Sequence, residues 1–336
     1  MTLLFSPSVP SWATHIIHDL ATFKRWPVPV ERFAPFSLPE DAYFEYAFRD
    51  AEGNYRADPL NEEAHNPWYD FARSVFGPAY QPGRYNFHRQ AGEPQGTLAR
   101  GRLRSRYLGQ RRRWLVYTPR GLKSSQAAPC VYVHDGLGFL YYGQLPQVLD
   151  AMLADRVVEP ARLVLIPPER REQEYPHNEV YQRFVLEELV PQVESEGGAV
   201  CNGRRILLGA SLGGLVSMLL AWKRPEWFDT VITLSGAFLT APESPQEHHD
   251  GREWLREQVL ALPHVPALRY ILYCGGLEWL TQANRHVAAA LAARGATHTY
   301  LERPAGHNWV NWRDGLGEVL RMALSEDGAG GRKPRK

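Results

Sequence analysis

The chain has 336 residues, a formal net charge of +1 and 44% apolar side chains, among them ten Trp, sixteen Tyr and thirteen Phe. So small a net charge removes the general electrostatic reason to expect nucleic acid as a partner, and no run approaches the roughly 18 apolar residues of a membrane span. Three widely spaced cysteines, Cys130, Cys201 and Cys274, fit reduced thiols better than a disulfide frame or a metal site.

The length suits one large domain beside a small one. The opening MTLLFSPSVPSW lacks a basic n-region and a long apolar stretch, so a cytoplasmic location is expected. Residues 1–85 are rich in aromatics and proline. In AYFEYAFRDAEGNYRADP, Phe44, Tyr46 and Phe48 point one way and Tyr43, Glu45 and Ala47 the other. With the turn signal at Asp50–Asn54, this predicts a hairpin within a small β-sandwich. Gly, Pro and Gln crowd residues 77–97, which places an interdomain linker at 86–98.

A hairpin is expected next, from TLARGRLRSRYLG and QRRRWLVYTP, opening a catalytic domain over 99–325. Short apolar runs at 130–136, 161–168, 204–211, 230–237, 268–276 and 297–304 then alternate with helical patterns at 144–156, 178–195, 213–224, 281–294 and 315–324. That alternation predicts an α/β fold: a mostly parallel central sheet with helices on both faces. Residues 326–336, ending GAGGRKPRK, read as a disordered tail. Seven arginines crowd residues 100–113; Arg102, Arg104 and Arg106 are expected on one solvated strand face.

The chemistry centres on ILLGASLGGL. Gly209-Ala210-Ser211-Leu212-Gly213 is a G-x-S-x-G pattern between a strand and a helix. There a serine sits on a turn so tight that larger residues two before and two after would clash, and the following helix aims amide groups at the site. Ser211 is the candidate nucleophile, and it needs a base held by an acid. In the α/β-hydrolase fold the order is Ser, acid, His. His307, between the last strand and the last helix, is the candidate base. Glu278, the first carboxylate after the strand ending at Gly276, is the candidate acid. His248 and His249 sit in a polar loop with Asp250, His298 lies inside a strand, and His134 is placed to shape the loop that holds the oxyanion. The oxyanion donors are expected at the Leu212 amide and around Gly136-Leu137. No metal or organic cofactor is called for.

These residues resemble the enterochelin (enterobactin) esterases, within the wider esterase D group. VYVHDG is similar to the family's Y-x-x-D-G strand. IPPERREQEYPHNEVYQRFVLEELVPQVE resembles its Arg-x-x-Glu segment, with Arg171, Glu174 and Glu188–Pro191 on matching positions. GASLGGLVSMLLAWKRPEWFDTVITLSGAF resembles the G-x-S-x-G-G…P-x-x-F…S-G block. Gly276-Leu277-Glu278 with Asn284-Arg285, and GHNWVNWRDGL, resemble the segments that follow. The likeness spans about 100–325. Residues 1–85 resemble the family's immunoglobulin-like domain more faintly, with Trp12-Ala13-Thr14-His15 where relatives open F-x-G-d-W.

The resemblance implies a serine esterase that opens a catecholate siderophore, a cyclic trilactone of catechol-acylated serine, to release its iron. A ferric catecholate is anionic, which would give Arg171 a binding role, against a plain ion pair with Glu174. Trp309 would stack on an aromatic acyl group, and Trp312 either stacks or packs the last helix. A carbohydrate esterase of feruloyl or acetylxylan type and an acyltransferase on the same triad are the competing readings. The expected partner is a small-molecule ester, with neither nucleic acid nor membrane; the oligomeric state is left open.

Overall fold

The computed structural model describes residues 2–21, 27–87, 92–243 and 252–325. His248, His249, Asp250 and the tail 326–336 lie outside the described residues.

Among the described residues, seven strands precede the catalytic region: β1 (Thr2–Phe5), β2 (His15–His18), β3 (Val28–Pro29), β4 (Phe36–Pro39), β5 (Tyr43–Arg49), β6 (Tyr55–Arg56) and β7 (Arg73–Phe76). β1 pairs with β4, and β5 pairs with β2 along one edge and with β6 and β7 along the other, all antiparallel. Alternation along β5 sends Phe44, Tyr46 and Phe48 into a small core with Phe5, Ile16 and Leu38. The opposite face of β5 is buried too. Tyr43, Glu45 and Ala47 are wholly enclosed, and Tyr43 packs beside Ala305 and Val310 of the catalytic region.

The main sheet is built from β8 (Thr97–Arg104), β9 (Arg111–Thr118), β10 (Ala128–His134), β11 (Arg162–Ile166), β12 (Cys201–Ala210), β13 (Thr230–Leu234), β14 (Arg269–Gly275) and β15 (His298–Arg303). Their order is β15-β14-β13-β12-β10-β11-β9-β8, parallel from β15 to β11, with the β8–β9 hairpin antiparallel at one edge. The helices are α1 (Gly136–Tyr141), α2 (Leu145–Ala154), α3 (Arg171–Glu174), α4 (Glu179–Arg183), α5 (Val190–Ser195), α6 (Leu212–Lys223), α7 (Trp254–Ala261), α8 (Thr281–Ala293) and α9 (Trp309–Leu324).

Side chains alternate across each strand, so one strand feeds two cores. Tyr132, Leu207, Val231 and Leu272 pack with α4 to α8. Val131, Val133, Leu208, Ile232 and Ile271 pack with α1, α2 and α9. Burying one such side chain contributes roughly 1.5–3 kcal/mol. Covering on both faces explains why these strands read as unbroken apolar runs.

Three expectations are adjusted. The helix expected at 178–195 is one run whose middle, Phe184–Leu189, widens to a π turn; Pro191 has no amide hydrogen to close the usual bond there. The last helix begins at Trp309 rather than 315, because the Asn308 side chain accepts from the Asn311 amide and caps it. The shared face of Arg102, Arg104 and Arg106 is cut short: β8 ends at Arg104, and the Arg106 amide donates to Glu188 beyond it. Residues 77–87 are strapped to α9. Asp314 accepts from the Tyr80 hydroxyl, the Gly83 amide and the Asn86 side chain at 2.6–2.8 Å.

Candidate active site

Ser211 sits between β12 and α6 with φ 55° and ψ −121°, a conformation that non-glycine residues hold only when their surroundings enforce it. Its amide donates to Leu234 O at 2.8 Å, and its carbonyl accepts from Gly214 and Ala237 at 3.0 Å. A Cβ on Gly209 would lie 2.1 Å from the Gly213 carbonyl oxygen, and one on Gly213 would lie 3.0 Å from an Asp135 carboxylate oxygen. Close approach to backbone requires Gly209, and Gly213 packs tightly against the Asp135 side chain.

Beneath the elbow lies His134. Its Nδ1 is 3.0 Å from Ser217 Oγ, and Ser217 donates to Gly213 O at 2.8 Å. Burial pushes its pKa down to about 3, so it is a neutral prop. The expected place in the oxyanion loop is not where its side chain goes. His298 is in β15, with Nδ1 3.0 Å from Ala296 O.

β14 ends at Gly275, and the loop after it brings Glu278 back under His307. His307 Nδ1 is 2.7 Å from Glu278 Oε2, and the Glu278 side chain is wholly buried. The other carboxylate oxygen accepts from Cys274 Sγ at 2.8 Å. Trp279 and Trp312 flank the imidazole, with ring centroids 4.4 and 5.0 Å from it. Trp312 is itself fixed by an Nε1–H bond to Ser235 Oγ at 3.0 Å.

Ser211 and His307 line one cavity of about 600 Å³. Leu137 and Gly138 line it beside them. Gly136 does not; it packs on β11, where a Cβ would meet Ile166 N at 2.4 Å. Leu212 opens α6, where the first amides have no partner within the helix.

Arg171 lines the cavity but is committed elsewhere. It forks onto the Asp135 carboxylate at 2.8 and 3.0 Å and donates to Ala210 O at 3.2 Å. The expected pair with Glu174 is not formed: Arg112, wholly buried, takes Glu174 at 2.6 and 2.9 Å. Trp309 is almost fully buried, with its ring 5.2 Å from Phe139 and 4.9 Å from Trp312, and it lines the cavity.

A further wall comes from the N-terminal region. Asp19, Glu45, Asn66, Trp68 and Tyr69, from a strand and loops of the N-terminal region, line the same cavity as Ser211 and His307. Burial lifts the Glu45 carboxyl to about 7; burial and then the neighbouring Glu45 lift that of Asp19. The available signal was Glu45 itself, a carboxylate between aromatic residues in an alternating strand. Among the described residues, no group of three or more His, Cys, Asp and Glu side chains is arranged to hold a metal ion, and no helix is long and apolar enough to cross a membrane.

A mostly parallel sheet, a strained serine on a strand-to-helix turn and a histidine after the last strand define the α/β-hydrolase fold. The chain belongs to the esterase family described as putative esterase, whose model matches residues 105–322, and it is a carboxylic-ester hydrolase. It is 28% identical over 222 residues to an iron(III) enterobactin esterase of Escherichia coli O6:H1, a match covering 64% of this chain and 54% of that protein. The chain thus spans about half the length of the curated enterobactin esterases it matches. The solved enterobactin esterase of Shigella flexneri superposes with a TM-score of 0.74 at 20% identity, covering 96% of this chain and 92% of that one. A ferulic acid esterase of the fungus Anaeromyces mucronatus gives 0.55 at 18% identity, covering 72% and 95%.

Proposed function

We propose that the protein is a serine esterase in which Ser211 attacks, His307 relays the proton and Glu278 orients His307, acting on an ester whose acyl part carries an aromatic ring. The observation that carries this is the 2.7 Å contact of His307 Nδ1 with a wholly buried Glu278, in the cavity that also holds Ser211. The carboxylate fixes the imidazole with Nε2 free for the serine and stabilises the imidazolium. Ser211 Oγ adds to the ester carbonyl as His307 takes its proton. The Leu212 and Leu137 amides hold the oxyanion, and His307 returns the proton to the departing alcohol. Water then repeats the sequence on the acyl-enzyme and releases the acid.

Trp68, Tyr142, Trp279, Trp309 and Trp312 line the cavity, which suits a flat aromatic ring on the acyl part. Within that class a catecholate-siderophore trilactone is the reading that the enterobactin esterase relatives favour, and three free cysteines suit a reducing cytoplasm. Arg171, neutralised by Asp135, contributes little charge to an anionic substrate and is assigned instead to holding the loop at Asp135.

The test is product analysis with enterobactin and its ferric complex, Ser211→Ala beside wild type. Release of dihydroxybenzoylserine by wild type alone supports both nucleophile and substrate. Cleavage by wild type of aryl or feruloyl esters only would keep the nucleophile and overturn the siderophore assignment. Unchanged turnover in Ser211→Ala would overturn the mechanism.

A further inference from the structure

We propose that Asp19, from the N-terminal sheets, is a positioning residue for His307, so that this region is part of the catalytic apparatus. The proposal rests on His307 acting as the base.

Asp19 follows β2 and is 1% exposed. Its backbone carbonyl accepts from the His307 amide at 3.1 Å. Its carboxylate accepts from the Asn308 side-chain amide through one oxygen and from the Glu45 backbone amide, at 2.9 Å, through the other. The Asp19 amide donates to Glu45 O at 3.0 Å. Asn308 in turn caps α9 by accepting from the Asn311 amide at 2.8 Å. A single side chain therefore ties β5 to the first turn of the helix that follows His307.

The backbone pairing alongside repeats the link. Tyr43 N donates to Pro304 O at 2.9 Å, and Gly306 N donates to Tyr43 O at 3.0 Å. Gly306 is needed there, since a Cβ would come within 2.4 Å of the Asp19 carboxylate. Glu278 fixes the imidazole ring. Nothing in the Glu278 side-chain contact fixes the main chain of residues 304–308: the Leu277 amide and the Asn311 side chain hold the Ala305 and Gly306 carbonyls, and the N-terminal region supplies the bonds at Pro304 O, Gly306 N and His307 N.

A buried polar group must be paired whether or not it has a role, so loss of stability alone proves nothing. The discriminating experiment reverses donor and acceptor across the Asp19–Asn308 bond in the full-length chain. It measures kcat, KM and the rate at which Ser211 is labelled by a fluorophosphonate. Asp19→Asn faces two amides and Asn308→Asp faces two carboxylates; the double variant restores a donor opposite an acceptor and still caps Asn311.

Displacing a catalytic group by about 1 Å can cost about a hundredfold in rate. Each single variant is expected to lose about 10- to 100-fold in kcat and in labelling rate, with KM within about twofold, and the double to recover to within about fivefold of wild type. Tyr46→Phe is the control for a loosened domain. It removes the 2.6 Å bond to Asp58 away from the seam and is expected to leave kcat unchanged.

The proposal is overturned if the single variants fall by no more than about twofold, if the loss is confined to KM, if the double is no better than the worse single, or if Tyr46→Phe loses as much as Asp19→Asn. A wild-type protein that takes no label at Ser211 would instead overturn the serine mechanism. Equal labelling of wild type and Asp19→Asn would overturn this proposal alone.

Discussion

The two halves of the active-site cavity are built by opposite means. On the sheet side, each chemical group stands where a strand ends: Ser211 after β12, Glu278 after β14 and His307 after β15. The backbone there is fixed by a parallel ladder, buried on both faces at the ends of β12 and β14 and partly exposed at the edge strand β15. On the other side, Asp19, Glu45, Asn66, Trp68 and Tyr69 come from short strands and loops that reach the cavity only because two regions dock. The first half sets which reaction is possible. In the proposed mechanism the second would set how firmly the base is held and what shape of ester can enter.

That contrast can be sharpened by substitutions on either side. The largest effect is expected on the sheet side. Glu278→Gln leaves the size of the side chain alone but removes the charge that stabilises the imidazolium, and should lower kcat by about 10²–10⁴ with little change in KM; steady-state kinetics on an aryl ester measure it. A smaller effect is expected across the cavity. Trp68 lies parallel to Tyr142 with centroids 5.9 Å apart and is half exposed. Trp68→Ala should raise KM for aromatic acyl esters by about 3- to 10-fold, the equivalent of one aromatic contact of roughly 0.5–1.5 kcal/mol, and leave kcat alone. An equal loss for acetyl and aromatic esters would assign the residue to packing.

The smallest effect is on stability against pH. The Glu45 carboxyl is raised from its ordinary 4.5 to about 7 in the folded chain. Between those values the unfolded chain has lost a proton that the folded chain keeps, so this group makes stability fall as pH rises from about 4.5 to about 7. His134, lowered to about 3, acts oppositely, its contribution rising with pH from about 3 to about 6.5. Urea midpoints for wild type and Glu45→Gln between pH 4.5 and 8 isolate the first slope: the variant should gain relative to wild type as pH rises. A difference that stays constant with pH would place an ionised Glu45 in both states.

The legibility of the sequence follows the same division. Ser211, Glu278 and His307, the proposed triad, carry local signals: glycines at fixed offsets, and positions just beyond the ends of apolar strands. Leu137 and Gly136 could not be separated, since a one-residue difference in a loop turns on contacts such as Gly136 against Ile166. Glu174 was matched with Arg171, three residues away in sequence, and its partner is Arg112, 62 residues distant and brought over by β9. Asp19 carries no local mark at all. Its meaning comes from a surface 289 positions further along the chain, and no periodicity within β2 could encode that.

The pairing of Tyr43 with Pro304 and Gly306 also bears on how the enzyme comes apart. The amide hydrogen of Gly306 is sheltered from exchange by a carbonyl belonging to the N-terminal region, so parting the seam bares that amide while Leu277, Glu278 and Asn311 still hold the rest of the histidine loop. Partial unfolding that starts in the thin N-terminal sheets would therefore register as exchange at Gly306 before the large sheet has lost any of its order.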